Sequence, residues 1–129
     1  MKHKVILILS FIILNSCEDK ENTDFENLGS VAYKGMFYGS TPTTRLAPIE
    51  VTLYFSSNRF LGESQNQYSP LICQGTYSLS GQEIQFKNEC TNLSTFKLDG
   101  SYSYNPSVDS LRLQRSVNGI MELYVLKKK

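Results

Sequence analysis

Ile49-Glu50-Val51-Thr52-Leu53-Tyr54-Phe55 decides how this chain folds. Ile49, Val51, Leu53 and Phe55 alternate with Glu50, Thr52 and Tyr54. A period of two puts the apolar residues on one face of a half-buried β-strand. Ser56-Ser57-Asn58 reads as a turn, and Arg59-Phe60-Leu61 as the start of the returning strand, with Gly62 a point where it bends. Residues 63–70 (ESQNQYSP) read as a polar loop.

The same rhythm runs outward from this hairpin. Tyr77 and Leu79 share a face, Ser80-Gly81-Gln82 turns the chain, and Ile84 and Phe86 return. Phe96 and Leu98 alternate with Lys97, Tyr102 and Tyr104 with Ser101 and Ser103, and Leu111 and Leu113 with Arg112. Asn118-Gly119 is a strong hairpin-turn signal. The last strand carries Met121, Leu123 and Val125 on one face and Glu122 and Tyr124 on the other. Val31 to Tyr38 is a further strand candidate. No segment holds a helical period, so no helix is available to cover the apolar face of a sheet. The sheet must close on itself or fold into two layers. The expected fold is all-β, a small antiparallel meander barrel of about eight strands, with a β-sandwich as the alternative. Closure would pair the first strand with the last.

The chain has 129 residues, enough for one small domain with an appendage. Thirteen Lys and Arg against twelve Asp and Glu leave no charge excess of the kind that grips nucleic acid. Eight Tyr and seven Phe argue against disorder. The appendage is at the N-terminus. Lys2 and Lys4 precede an apolar run from Val5 to Leu14, interrupted by Ser10. That run is too short for a resident membrane helix and suits a signal-peptide core. Leu14-Asn15-Ser16-Cys17 resembles the lipobox of bacterial lipoproteins. That resemblance implies a signal peptide over 1–16 and a lipidated Cys17 as the mature N-terminus. Residues 18–26 (EDKENTDFE) hold five acids and one lysine, so 17–30 reads as a lipidated cysteine with a flexible acidic tether. The folded domain is then 31–129. The acidic run resembles the post-cysteine segment of surface-exported lipoproteins of the Bacteroidetes group. The expected location is the bacterial cell envelope, lipid-anchored at the outer membrane, with periplasmic and surface exposure both open.

Two cysteines remain once Cys17 is set aside. The hairpin centred on Gly81 brings Cys73 opposite Glu89 or Cys90. Their parity with Tyr77 and Phe86 points both sulfurs inward, and an oxidising envelope permits a Cys73–Cys90 disulfide. A pair of cysteines without CxxC spacing favours neither a metal site nor a redox centre. His3 lies in the leader, so the mature chain lacks histidine and with it the Ser-His-Asp and Cys-His constellations. Phosphate-loop and dinucleotide fingerprints are absent from the sequence. The acids from Glu50 to Glu122 are scattered over strand exteriors and turns. The expectation is a non-enzymatic protein that uses no cofactor and no metal.

The Val51-Thr52-Leu53 strand, the Asn58-Arg59-Phe60 turn and the Cys73-Gln74-Gly75-Thr76-Tyr77 segment resemble small lipocalin-like lipoproteins of Bacteroidetes. So does the Ser80-Gly81 turn into Ile84-Gln85-Phe86. The rhythm returns at Gly100-Ser101-Tyr102 and Leu111-Arg112-Leu113, and it is similar more loosely to META-type domains of secreted bacterial proteins. The resemblance covers residues 31–126 and implies a calycin-style antiparallel barrel. The chain has no Trp, where lipocalins keep a Gly-x-Trp, so the resemblance carries no ligand cavity with it.

Two function classes follow. One is an envelope binding or accessory module, acting on an unidentified envelope protein or as a protein inhibitor, with loop 63–70 and exterior Tyr54, Arg112 and Tyr124 as contact residues. The other is a carrier of a small apolar ligand inside the barrel, lined by Tyr77, Phe86, Phe96, Tyr102 and Tyr104. The membrane is a partner only through the N-terminal lipid, and nucleic acid is not one.

Overall fold

The computed structural model describes residues 28–129. The expected signal peptide over 1–16, the expected lipidation site Cys17 and the tether 17–30 up to residue 27 lie outside the described residues. Eight strands follow one another: β1 (Val31–Ser40), β2 (Ile49–Ser56), β3 (Arg59–Ser64), β4 (Gln74–Ser80), β5 (Glu83–Asn88), β6 (Gly100–Pro106), β7 (Ser110–Val117) and β8 (Ile120–Lys128). Each pairs antiparallel with its predecessor, and β1 pairs with β8, closing a meander barrel. This is the expected all-β barrel, and it is consistent with a lipocalin- or calycin-like fold.

The alternation in β2 sets the pattern. Val51, Leu53 and Phe55 are buried and Glu50 and Ser56 exposed. Val51 pairs with Ser64 and Phe55 with Phe60 across the two-residue Ser57-Asn58 turn, so β3 enters the ladder with Phe60 inward. Asn118 and Gly119 both take positive φ, which only a short polar residue and a glycine accept readily. They join β7 to β8 with Val117 opposite Ile120.

The turns 57–58, 81–82 and 107–109 are short and lie at the end where β1 begins and β8 finishes. The loops 41–48, 65–73 and 89–99 are long and share the other end. Leu28 is held at the short-turn end. Its backbone N–H donates to the Tyr77 hydroxyl at 2.7 Å, and that hydroxyl donates to the Ser57 carbonyl at 2.6 Å.

Phe96 and Leu98 belong to no strand, which corrects the expected one. Lys97 makes an isolated parallel bridge to Leu71, and the segment crosses the loop end of the barrel. Phe96, Leu98, Leu71 and Ile72 are buried there and stopper the barrel. Gly62 makes room for this stopper rather than bending the strand. A Cβ on Gly62 would stand 2.2 Å from Ile72 Cγ2 and 2.8 Å from Leu53 Cδ2. Gly62→Ala is therefore expected to lift Ile72 out and cost about 2 kcal/mol, in the range of overpacked cores. A urea unfolding midpoint unchanged from the parent chain would refute this use of the glycine.

Candidate functional site

A continuous chain of rings crosses the barrel interior. Phe55 meets Tyr77 edge-on with centroids 5.0 Å apart, and Phe60 meets Phe86 at 5.1 Å. Phe86 meets Tyr102 at 5.7 Å, Tyr102 meets Tyr124 at 6.0 Å, and Phe37 lies 4.8 Å from Tyr124 and 5.6 Å from Phe96. Edge-to-face contact at these separations is favourable beyond the area it buries. Phe37, Leu53, Ile84, Leu113, Tyr124 and Leu126 have no accessible surface, so no water-sized void touches them. The residues read as cavity lining, Tyr77, Phe86, Phe96 and Tyr102, are filling, and Tyr104 is half-buried at the short-turn end. A small domain makes a narrow barrel, and side chains occupy its inside.

One polar cluster interrupts this interior. Glu122 is buried on β8, and its carboxylate accepts from Arg115 Nε at 2.7 Å and from the Tyr102 hydroxyl at 3.2 Å. Arg115 Nη2 completes the ion pair, and Nη1 donates to the Asp99 carbonyl. The guanidinium carbon also lies 4.5 Å from the centroid of the Tyr102 ring. The Tyr102 hydroxyl contacts the Lys97 carbonyl at 3.1 Å, so the cluster ties β6, β7 and β8 to the stopper segment. The buried Tyr124 hydroxyl has no hydrogen-bond partner among the described residues. Burial pushes the Glu122 carboxyl up, against the lowering pull of the Arg115 charge. Burial likewise pushes the Tyr102 hydroxyl well above its ordinary range.

Tyr124 is a correction. The sequence reading sets it outside with Tyr54 and Arg112, whereas it is fully buried. Leu113 pairs with Tyr124 and Arg115 with Glu122, so the face of β8 that enters the core is Glu122, Tyr124 and Leu126. Met121, Leu123 and Val125 face outward. The signal was available, because Leu111 and Leu113 inward plus a two-residue Asn-Gly turn dictates this parity. Tyr54 is half-buried on β2, with Lys129 Nζ 5.8 Å from its ring centroid. Arg112 is exposed on β7, separated from Tyr54 by β8 and β1. The three do not form one patch.

The loop end is the second feature. Cys73 and Cys90 are disulfide-bonded with Cα atoms 5.9 Å apart, as the hairpin register predicts. The bond lies on the outside, not inside. Cys73 has left the strand with φ 51°, which breaks the parity that would have aimed it inward. Asn88, at the end of β5, pins both loops. Its Nδ2 donates to the carbonyls of Ile72 at 2.6 Å and Leu98 at 3.0 Å, and its Oδ1 accepts from Cys90 N at 2.8 Å. Leu71 N donates to the Phe96 carbonyl at 2.8 Å, and Leu98 N to the Leu71 carbonyl at 3.0 Å. Nothing in the periodicity of the sequence marks Asn88. Its role needs the two loops to be placed first.

These pins hold an exposed tip. Leu93 is 98% exposed and Tyr68 67% exposed. Ser94, next to Leu93, donates through Oγ to the Tyr68 carbonyl at 2.6 Å, so the two loops are joined at their tips. A cleft of about 380 Å³ beside them runs between Leu61, Cys73, Glu89 and Asn92. Among the described residues no group of three or more His, Cys, Asp or Glu gathers to hold a metal. Comparison with family models, curated proteins and solved structures found no match to this chain.

Two outcomes follow. Replacing both cysteines (Cys73→Ala with Cys90→Ala) should cost about 3 kcal/mol, the value for a loop of this size. Hydrogen exchange should then quicken in 65–73 and 89–99 and stay unchanged at turns 57–58 and 81–82. The second concerns pH. The folded carboxyl of Glu122 titrates above its unfolded value of about 4.5, so its contribution is fully present below that value and is lost as pH rises through the folded pKa. The Glu122→Gln chain should lack this loss. Denaturant midpoints of the two chains should therefore diverge with rising pH across that window, and parallel profiles would contradict the assignment.

Proposed function

We propose that this protein is a non-enzymatic binding module of the bacterial cell envelope, held by a lipid on Cys17, that presents its loop end to an envelope protein. The observation that carries the reading is the tip at Tyr68 and Leu93. These two sit on loops joined through Ser94 and fixed by a disulfide, Asn88 and a parallel bridge. A contact surface ordered in advance loses little entropy on binding. The chain enters the barrel at the opposite end, where Leu28 is fastened to Tyr77. An anchor at Cys17 would therefore leave the long loops directed away from their attachment point. The disulfide supports an oxidising location such as the envelope.

The filled interior weighs against carriage of a small ligand inside the barrel, since Phe86, Tyr102 and Tyr124 occupy the space it would need. Inhibition of the bound protein is a special case of the same contact.

Two experiments test the reading. Metabolic labelling with palmitate should mark the protein in its native host, and Cys17→Ala should abolish the label. A photo-crosslinking residue at Leu93 should join the chain to one envelope protein in intact cells, with the yield falling at least tenfold in Tyr68→Ser. Equal crosslinking from Ser103, on the outside of β6, would show that the tip has no special role.

A further inference from the structure

The outside of the barrel is polar on one side and apolar on the other. β4 to β7 turn Thr76, Ser78, Gln85, Ser101, Ser103 and Gln114 outward. The adjoining pair β1 and β8 turns out Met36, Tyr38, Met121, Leu123 and Val125. The register makes these one stripe, since Met36 pairs with Val125 and Tyr38 with Leu123, while Ser40 pairs with Met121. Tyr38, Met121 and Val125 are 42%, 48% and 41% exposed. At the loop end the stripe deepens into a groove of about 460 Å³, where Leu46 and Pro48 of loop 41–48 face Met121 and Leu123.

Cations frame the stripe. Arg45 lines the groove, Arg112 is the cross-strand partner of Val125, and Lys127 and Lys34 are paired positions at the lower end. Of these, Lys34 is bound to Glu50 at 3.2 Å, the acid of this face. Asp109 stands in the β6–β7 turn below it. Arg45, Arg112 and Lys127 have no ion-pair partner among the described residues.

We infer that the β1–β8 face docks on an anionic lipid bilayer, with the apolar stripe at the acyl boundary and Arg45, Arg112 and Lys127 at the headgroup phosphates. An apolar stripe edged by cations without ion-pair partners among the described residues is complementary to such a surface, where apolar burial and headgroup attraction act together. An acidic protein would supply the charge, but it would also have to match the whole stripe of Met, Tyr, Leu and Val and the groove at its end. The inference does not depend on acylation of Cys17, and it is tested without the lipid.

The test uses the chain as it would stand after leader removal, residues 17–129 carrying Cys17→Ser so that neither leader nor lipid contributes, and vesicles of phosphatidylcholine, pure or with 30% phosphatidylglycerol. Flotation should recover the chain with the anionic vesicles and not with the neutral ones, and recovery should fall at high salt. Arg45→Gln and Arg112→Gln should each weaken binding about fivefold. Met121→Ser with Val125→Ser should abolish it. The chain has no tryptophan, so Met121→Trp supplies a lone reporter even if the serine variant is unstable. Its emission should shift to the blue on anionic vesicles, and that of Gln85→Trp on the polar side should not. Equal binding to neutral vesicles, a shift at both tryptophans, or sedimentation as a dimer with the Met121→Trp emission already blue without vesicles would overturn the inference.

Discussion

The pairing of β1 with β8 is the constraint on which the rest depends. An eight-stranded antiparallel sheet with no helix has an apolar face and two raw edges. Register between Gly35 and Leu126, and between Phe37 and Tyr124, removes both edges at once and turns the apolar faces toward each other. The ring chain from Phe55 to Phe96 exists because closure brings β1, β2, β4 and β6 within reach of a common axis. Gly35 permits the close approach at this seam, since a Cβ there would stand 2.0 Å from the Val125 carbonyl oxygen.

Closure also explains how the ends are used. One end carries only the short turns 57–58, 81–82 and 107–109, because a few residues suffice between neighbouring strands, and the tight Asn118-Gly119 turn lies among the long loops at the other. At the other end the chain spends longer loops, and their apolar residues do the work that a helix does in larger domains. Leu71, Ile72, Phe96 and Leu98 complete the core from above, while Asn88 satisfies the carbonyls that this crossing leaves over. The Arg115–Glu122 pair is fastened to the same crossing through Asp99 and Lys97. A buried ion pair of this sort adds little net stability, because desolvation offsets most of the attraction. What it supplies is a link: one guanidinium holds Glu122 of β8 and the Asp99 carbonyl at the end of the stopper segment together.

Most of the barrel was legible in the alternation of apolar and polar residues, because each strand pairs with its neighbour and needs no distant information. The strand at Ile49–Phe55, the turn at Asn118-Gly119 and the Cys73–Cys90 bond all follow from local register. Tyr124 runs against hydropathy, because Met121, Leu123 and Val125 are the more apolar set while hairpin parity turns Glu122 and Tyr124 inward. The outward direction of Met121 and Val125 is itself the anomaly that marks the β1–β8 face. Phe96 and Leu98 alternate like a strand, but the loop they belong to is pinned across the barrel mouth. That placement depends on tertiary contacts with Leu71 and Asn88 that no period of two encodes.

The strictly sequential order of the strands has a kinetic meaning. Seven of the eight pairings join neighbours in the chain, so most of the sheet has low contact order and can zip locally. The eighth joins residues 33–40 to residues 121–128 and cannot form until the last strand is available. Until then β1 carries an open edge and the rings it shares with β8 have no partner. A chain that lost only its final ten residues would therefore lose the closing act of folding, rather than one strand in eight.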